Sequence, residues 1–142
     1  QRNAVCVPLV YFLALMLAWV APKHFGFGYR PLVYAGLSVG LAGILLWVLA
    51  MVYLGKSLNV LPESRSNKLV TQGVYKYLRH PVYVGITLTL FGLFLACGST
   101  PGMIYLFIIV IPLNLLRAVL EEKALIQQFE ETYRLYKRRT LF

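Results

Sequence analysis

The sequence predicts an all-α fold: an integral membrane helical bundle of about four transmembrane spans, two of them joined as a helical hairpin, with a C-terminal interfacial helix. Three observations carry this expectation. Of the 142 residues, 59% are hydrophobic and only 13% are charged; a soluble domain carries about a quarter. Four stretches, residues 5–21, 31–54, 82–97 and 102–116, contain no charged side chain. The net charge of +9 is spread unevenly around those stretches.

Taken in order, residues 5–21 sit near the lower limit of about 17 apolar residues for a span. Trp19 stands where signal cleavage requires a small residue, so this is expected to be a retained span. The sequence opens on Gln1 rather than Met, which leaves its natural start open. Residues 31–54 meet the length of a span easily. Gly36, Gly40 and Gly43 give this stretch a small-xxx-small face that lets helices approach closely. Tight packing inside the bundle is the expected use of that face, with self-association through Gly36/Gly40 as the alternative. Residues 82–97 and 102–116 are short, and Gly98-Ser99-Thr100-Pro101-Gly102 turns them into a hairpin. Pro112 removes an internal hydrogen bond and is predicted to kink the second arm. Beyond it, Leu125, Phe129, Tyr133 and Tyr136 recur at helical spacing. Residues 117–138 therefore read as one interfacial helix, its C-terminal end carrying Lys137 and Arg138 in favour of the helix dipole. The length allows a single domain, residues 1–142, in which 1–54 supply N-terminal spans and 55–142 the half that carries chemistry.

Four spans place Lys23 and Arg30 on one side and the other 12 of the 14 Lys and Arg on the opposite side. The positive-inside rule then makes the protein multi-pass, with both termini and the large loop in the cytoplasm. The basic excess reads first as topogenic charge and second as contact with anionic lipid. Nucleic-acid binding is excluded because the charges flank spans instead of forming one patch. Cys6 and Cys97 both lie in apolar runs, and two Cys with two His make neither a disulfide framework nor a metal site.

Two polar edges interrupt this apolar chain. The first is Tyr75-Lys76-Tyr77-Leu78-Arg79-His80-Pro81-Val82-Tyr83. Pro81 suits the first turn of a helix, which puts His80 at the helix entrance and Tyr83 beside it. The positive end of that helix favours an anionic or electron-rich ligand group. The second edge is Arg117-Ala118-Val119-Leu120-Glu121-Glu122. Arg117 and Glu121 share a helix face and are able to pair. Glu121 suits an amine or a ribose, and Arg117 a carboxylate. Taken singly, the arginines also read as interfacial anchors and the glutamates as a solvated face. Both edges, however, end adjacent hairpin helices on one side of the membrane. Gly26-Phe27-Gly28 does not extend to a phosphate loop, and no nucleophile–base pair stands out. What remains suits a reaction whose reactivity resides in a cofactor, with the protein supplying position and electrostatics.

The run from Leu69 to Gly85, together with Arg117-x-x-x-Glu121-Glu122 and Phe129-x-x-x-Tyr133-x-x-Tyr136, resembles the isoprenylcysteine carboxyl methyltransferases. These integral membrane enzymes belong to a wider superfamily that includes phospholipid N-methyltransferases. The resemblance covers roughly residues 69–139. It implies S-adenosylmethionine as cofactor and the carboxylate of a C-terminal isoprenylcysteine as acceptor, with a phospholipid amine as the alternative. It further implies that Lys68, Leu69, Val70, Tyr75, His80, Pro81, Val82, Tyr83 and Glu121 bind the cofactor. Arg117 holds the substrate carboxylate on this reading, and Arg117 and Glu121 form the catalytic pair. Glu130 departs from the pattern, standing where members often carry Gly, and the tail Thr140-Leu141-Phe142 lacks the usual proline. A small four-span transporter is the non-enzyme alternative. It is disfavoured because no span contains an ionisable residue to couple ions. A membrane subunit without activity is disfavoured more strongly.

Overall fold

A computed structural model of the chain describes residues 2–20, 29–58 and 69–141, with side chains described for 9–20, 29–55 and 69–141. The described residues form a helical membrane bundle. Helix α1 runs Arg2–Val20, α2 Arg30–Leu58, α3 Pro81–Cys97, α4 Thr100–Tyr105 and α5 Ile111–Arg139. A 3₁₀ turn at Gly73–Lys76 precedes α3, and a π-helical turn at Leu106–Val110 fuses α4 to α5. Two stretches, Arg30–Gly55 and the fused rod Thr100–Arg139, are long and apolar enough to cross a membrane; Leu9–Val20 and Pro81–Cys97 are shorter apolar helices. With 17 residues, α3 is about 26 Å long at 1.5 Å per residue. That falls short of a hydrocarbon core of about 30 Å, so its ends lie near the interfaces.

Helix α3 is the centre of the bundle. α2 packs along one flank, while α1 lies against α3, α4 and the π turn. The small core joins Ala14 and Ala18 of α1 to Leu90 and Phe94 of α3 and to Leu106 and Val110 of the π turn. Large apolar side chains such as Leu37, Leu41, Phe107 and Ile108 point outward. In water this would be an aggregation surface; in lipid it is the solvated face.

The glycine face of α2 is used inside the chain. A Cβ on Gly92 would stand 2.2 Å from the Gly40 nitrogen, and one on Gly36 2.5 Å from the Ala96 nitrogen. The two backbones are therefore in contact. Tight packing inside the bundle is thus the use of this face within the chain, with α3 lying against Gly36 and Gly40.

The hairpin turn is tighter than its sequence suggests, for only Gly98 and Ser99 lie outside the helices. Gly98 takes φ 64° and ψ 30°, the left-handed conformation in which a side chain is strained. Ser99 caps α4 by accepting a bond from the Gly102 amide at 3.2 Å. The disturbance expected at Pro112 is taken up upstream, in the π turn, where the helix has room for a residue that lacks an amide donor.

The single interfacial helix expected over residues 117–138 is also corrected. α5 breaks at Glu130, whose φ of 42° and ψ of −117° are non-helical. Residues 131–139 form a separate arm that folds back toward the segment before α3. Leu141 closes it with a parallel bridge to Leu78: its amide donates to Tyr77 O at 2.8 Å and its carbonyl accepts from the Arg79 amide at 3.2 Å. The backbone conformation at Glu130 accounts for the glycine expected there from the family pattern.

Candidate active site

The 3₁₀ turn positions the first polar edge. Gly73 has φ 62°, and a Cβ there would stand 2.3 Å from the Tyr53 ring of α2. The turn is thus seated directly on α2. It buries Tyr75, whose carbonyl accepts from the Tyr136 hydroxyl of the arm at 2.6 Å. The chain then enters α3 with His80 as N-cap residue and Pro81 in the first turn, as expected. His80 is 5% exposed and stacks on Tyr83 at 5.9 Å between ring centroids.

The second edge meets the first. The Tyr83 hydroxyl donates to Glu121 Oε1. His80 is bracketed by carboxylates, Nδ1 lying 3.7 Å from Glu121 Oε2 and Nε2 3.6 Å from Glu122 Oε1. Arg79 Nε is 3.2 Å from Glu122 Oε1, and Lys137 Nζ is 2.6 Å from Glu122 Oε2. Glu122 is therefore no solvated surface residue. It joins the α3 entrance to the arm.

Electrostatics follow from this packing. Burial depresses the His80 pKa and outweighs the two carboxylates, which favour protonation. The imidazole is neutral at pH 7. Burial would raise the Glu122 carboxyl, but the Lys137 bond and the charges of Arg79, Lys137 and His80 carry it below its ordinary value. Burial pushes Tyr75 and Tyr136 up to about 12, and Tyr133, buried beside Glu122, to about 12 as well. All three phenols are neutral under physiological conditions.

Among the residues expected at the site, Tyr75, His80, Pro81, Tyr83 and Glu121 come together with Arg79 and Glu122. Val82 is half-buried in the first turn of α3. Leu69 and Val70 are half-buried on the approach to the 3₁₀ turn, and among the described residues no hydrogen bond or ion pair links them to the cluster. Lys68 lies outside the described residues. Arg117 lies near Tyr83 without the ion pair to Glu121 that their spacing allows. Among the described residues the ion pairs of this stretch involve Glu121 and Glu122 with Arg79, His80 and Lys137, whereas Arg117 lies beside the Tyr11 hydroxyl of α1.

Three polar contributors lie in apolar helices and carry no role in the sequence reading. Tyr11 OH donates to Asn114 Oδ1 at 2.6 Å, and Asn114 Nδ2 donates to Thr87 Oγ1 at 3.1 Å. An amide inside a hydrophobic run was the available signal, since such a group must find partners within the bundle. A recess of about 200 Å³ opens beside these groups, lined by Tyr83, Val84, Thr87, Leu88, Ile111, Asn114 and Leu115. The site therefore combines an anchored, half-exposed carboxylate, a guanidinium and an apolar recess at one membrane edge.

The bundle and its membrane-edge site define a class. A family model for phospholipid methyltransferases matches residues 32–132, and the chain belongs to that family. A particular relative is protein-S-isoprenylcysteine O-methyltransferase of Schizosaccharomyces pombe, 31% identical over 93 residues, which is 63% of this chain and 39% of the relative. The chain thus spans about two fifths of that relative's length. No solved structure matches.

Proposed function

We propose that the chain transfers a methyl group from S-adenosylmethionine to a lipophilic acceptor at the membrane edge, the acceptor being the carboxylate of a C-terminal isoprenylcysteine. The observation that carries this reading is the meeting of the Arg79–Tyr83 helix entrance with Glu121, Glu122 and Arg117 beside an apolar recess. The likeness to the yeast enzyme supports the choice of acceptor.

The donor set fits such a cofactor. Glu121 is 52% exposed yet held by Tyr83, so its carboxylate is available to an ammonium or to ribose hydroxyls. The start of α3 offers the Val82 and Tyr83 amides and a positive dipole end to an anionic group. Lys68, Leu69, Val70, Tyr75 and Val82 complete the proposed cradle. When bound, S-adenosylmethionine supplies an electrophilic methyl on a sulfonium centre.

The residues of this chain then have limited tasks. Arg117 holds the acceptor carboxylate by its forked donors without removing its charge. An α-carboxyl with a pKa of about 3.5 is already ionised at neutral pH, so no general base is required. The recess takes the apolar part of the acceptor and excludes water from the reacting oxygen. Alignment accounts for the remaining catalysis. On the same reading the excess of basic residues on this side of the bundle favours a cytoplasmic site.

A phospholipid amine is the second reading, favoured by the family description. Its ammonium must first lose a proton. Incubation with methyl-labelled cofactor and either acceptor separates the two. The carboxylate reading expects a base-labile methyl ester that disappears with Arg117→Ala while cofactor binding persists. A base-stable methylamine would replace it by the second reading, and absence of cofactor binding would sink both.

A further inference from the structure

The strongest unassigned feature is the polar chain between α1, α3 and α5. Asn114 and Arg117 are three residues apart and Glu121 follows four later, so all three share one face of α5. Tyr83 and Thr87 are four apart on the facing side of α3. Two hydrogen-bonded rungs result, Tyr83 to Glu121 at the membrane edge and Thr87 to Asn114 one turn deeper. The recess is bounded by residues of both rungs. Tyr11 reaches in from α1, bonds to the deeper rung, and stands beside Arg117.

Donor and acceptor chemistry gives this chain a direction. The Tyr11 hydroxyl spends its only proton on Asn114 Oδ1, which leaves its oxygen able only to accept. Arg117, one turn beyond Asn114 on α5 and beside Tyr11, has N–H donors and no acceptor, so the Tyr11 oxygen suits it as a partner. Asn114 is 4% exposed, and both ends of its amide are engaged, the oxygen by Tyr11 and the nitrogen by Thr87. Each bond polarises the next.

We propose that Tyr11, held by Asn114, is a positioning residue that fixes the Arg117 guanidinium for an acceptor carboxylate, which makes α1 part of the substrate site. The inference rests on the acceptor role proposed for Arg117. An arginine at a membrane edge has a long flexible stem, and one donor anchored on Tyr11 restricts it while other N–H groups remain for the ligand. Such restriction matters where a small misplacement of the reacting oxygen costs rate.

The test uses the affinity of the full-length protein in detergent for N-acetyl-S-farnesylcysteine, a lipophilic thioether carboxylate, read by calorimetry. The proteins are the wild type, Tyr11→Phe, Arg117→Ala and the double variant. Tyr11→Phe keeps the ring and loses only the hydroxyl; it is expected to weaken binding about tenfold, as loss of a hydrogen bond to a charged group does. It should leave the affinity for S-adenosylmethionine unchanged, and in the Arg117→Ala background it should have no further effect. The turnover counterpart is a raised KM for the acceptor with a smaller change in kcat. Wild-type affinity in Tyr11→Phe, equal weakening in both backgrounds, or no binding of this carboxylate by the wild type would each overturn the proposal. Failure of the proposed function reads out separately, as absence of S-adenosylmethionine binding or of methyl transfer by the wild type.

Discussion

The interface between α2 and α3 and the cluster at the entrance of α3 are held by opposite means. In the first, backbones touch through Gly36, Gly40, Gly85 and Gly92, and no charged group takes part. In the second, three charged or titratable side chains, Arg79, His80 and Lys137, converge on the half-buried Glu122 carboxylate. The difference reflects the two solvents. Lipid provides no hydrophobic drive between helices, so cohesion there needs close contact. At the membrane edge, partial burial strengthens charge pairing and penalises an unmatched charge. The apolar interface should therefore respond to volume and the cluster to pH.

The largest effect is expected from Gly92→Ala. The new methyl would meet the Gly40 backbone at 2.2 Å, and backbone has nowhere to go; a loss of about 3 kcal/mol or more follows, read as a lower unfolding midpoint in detergent. Glu122→Gln comes next. It leaves Arg79 and Lys137 without their partner and should cost about 1–3 kcal/mol, with detachment of the arm seen as faster amide exchange at Leu141. The same cluster sets an acid limit. His80 and Glu122 both have depressed folded pKa values, so their contributions are present above their unfolded values and vanish as the pH falls. Thermal stability should decline first below 6.5, the ordinary value of a histidine, for His80 and again below 4.5, the ordinary value of a glutamate, for Glu122. A His80→Gln protein should lack the first decline. A flat profile from pH 7 to 5 in the wild type would contradict the burial argument.

Smaller effects sharpen the contrast. Glu130→Gly removes backbone strain at φ 42° and should stabilise by about 1 kcal/mol, visible as a raised midpoint with unchanged helicity. Gly40→Ala is the counterpart to Gly92→Ala. Its methyl would find its nearest neighbour at 3.7 Å, an ordinary contact, so the change should be within about 0.5 kcal/mol of neutral or mildly favourable through helix propensity. Similar losses at Gly40 and Gly92 would show that the two backbones are not as close as described.

Much of this architecture was legible because the relevant signals are local. Uncharged runs mark the helices, Pro81 marks the entrance of α3, and Gly98-Ser99 marks the hairpin. The meeting of His80 with Glu121 followed from two helices ending on one side. Other features depend on partners distant in the chain. Nothing around Tyr11 indicates that it bonds to Asn114, 103 residues away. Lys137 looked like a dipole-compensating charge, and its bond to Glu122 requires the fold-back at Glu130. That break was hidden because a glutamate, a good helix former, occupies a backbone position suited to glycine.

The π turn at Leu106–Val110 acts as a phase shift. It accommodates one residue more than an α-helical turn, and each helical residue turns the chain by about 100°. Deleting one residue there would remove the bulge and leave the downstream phase nearly in place, whereas winding the same residues as regular α-helix would swing everything downstream through that angle. Asn114, Arg117 and Glu121 would then look away from α3 together, although none of them had been altered. The azimuth of the whole polar face is thus set several residues before it begins, inside the lipid-facing part of the rod.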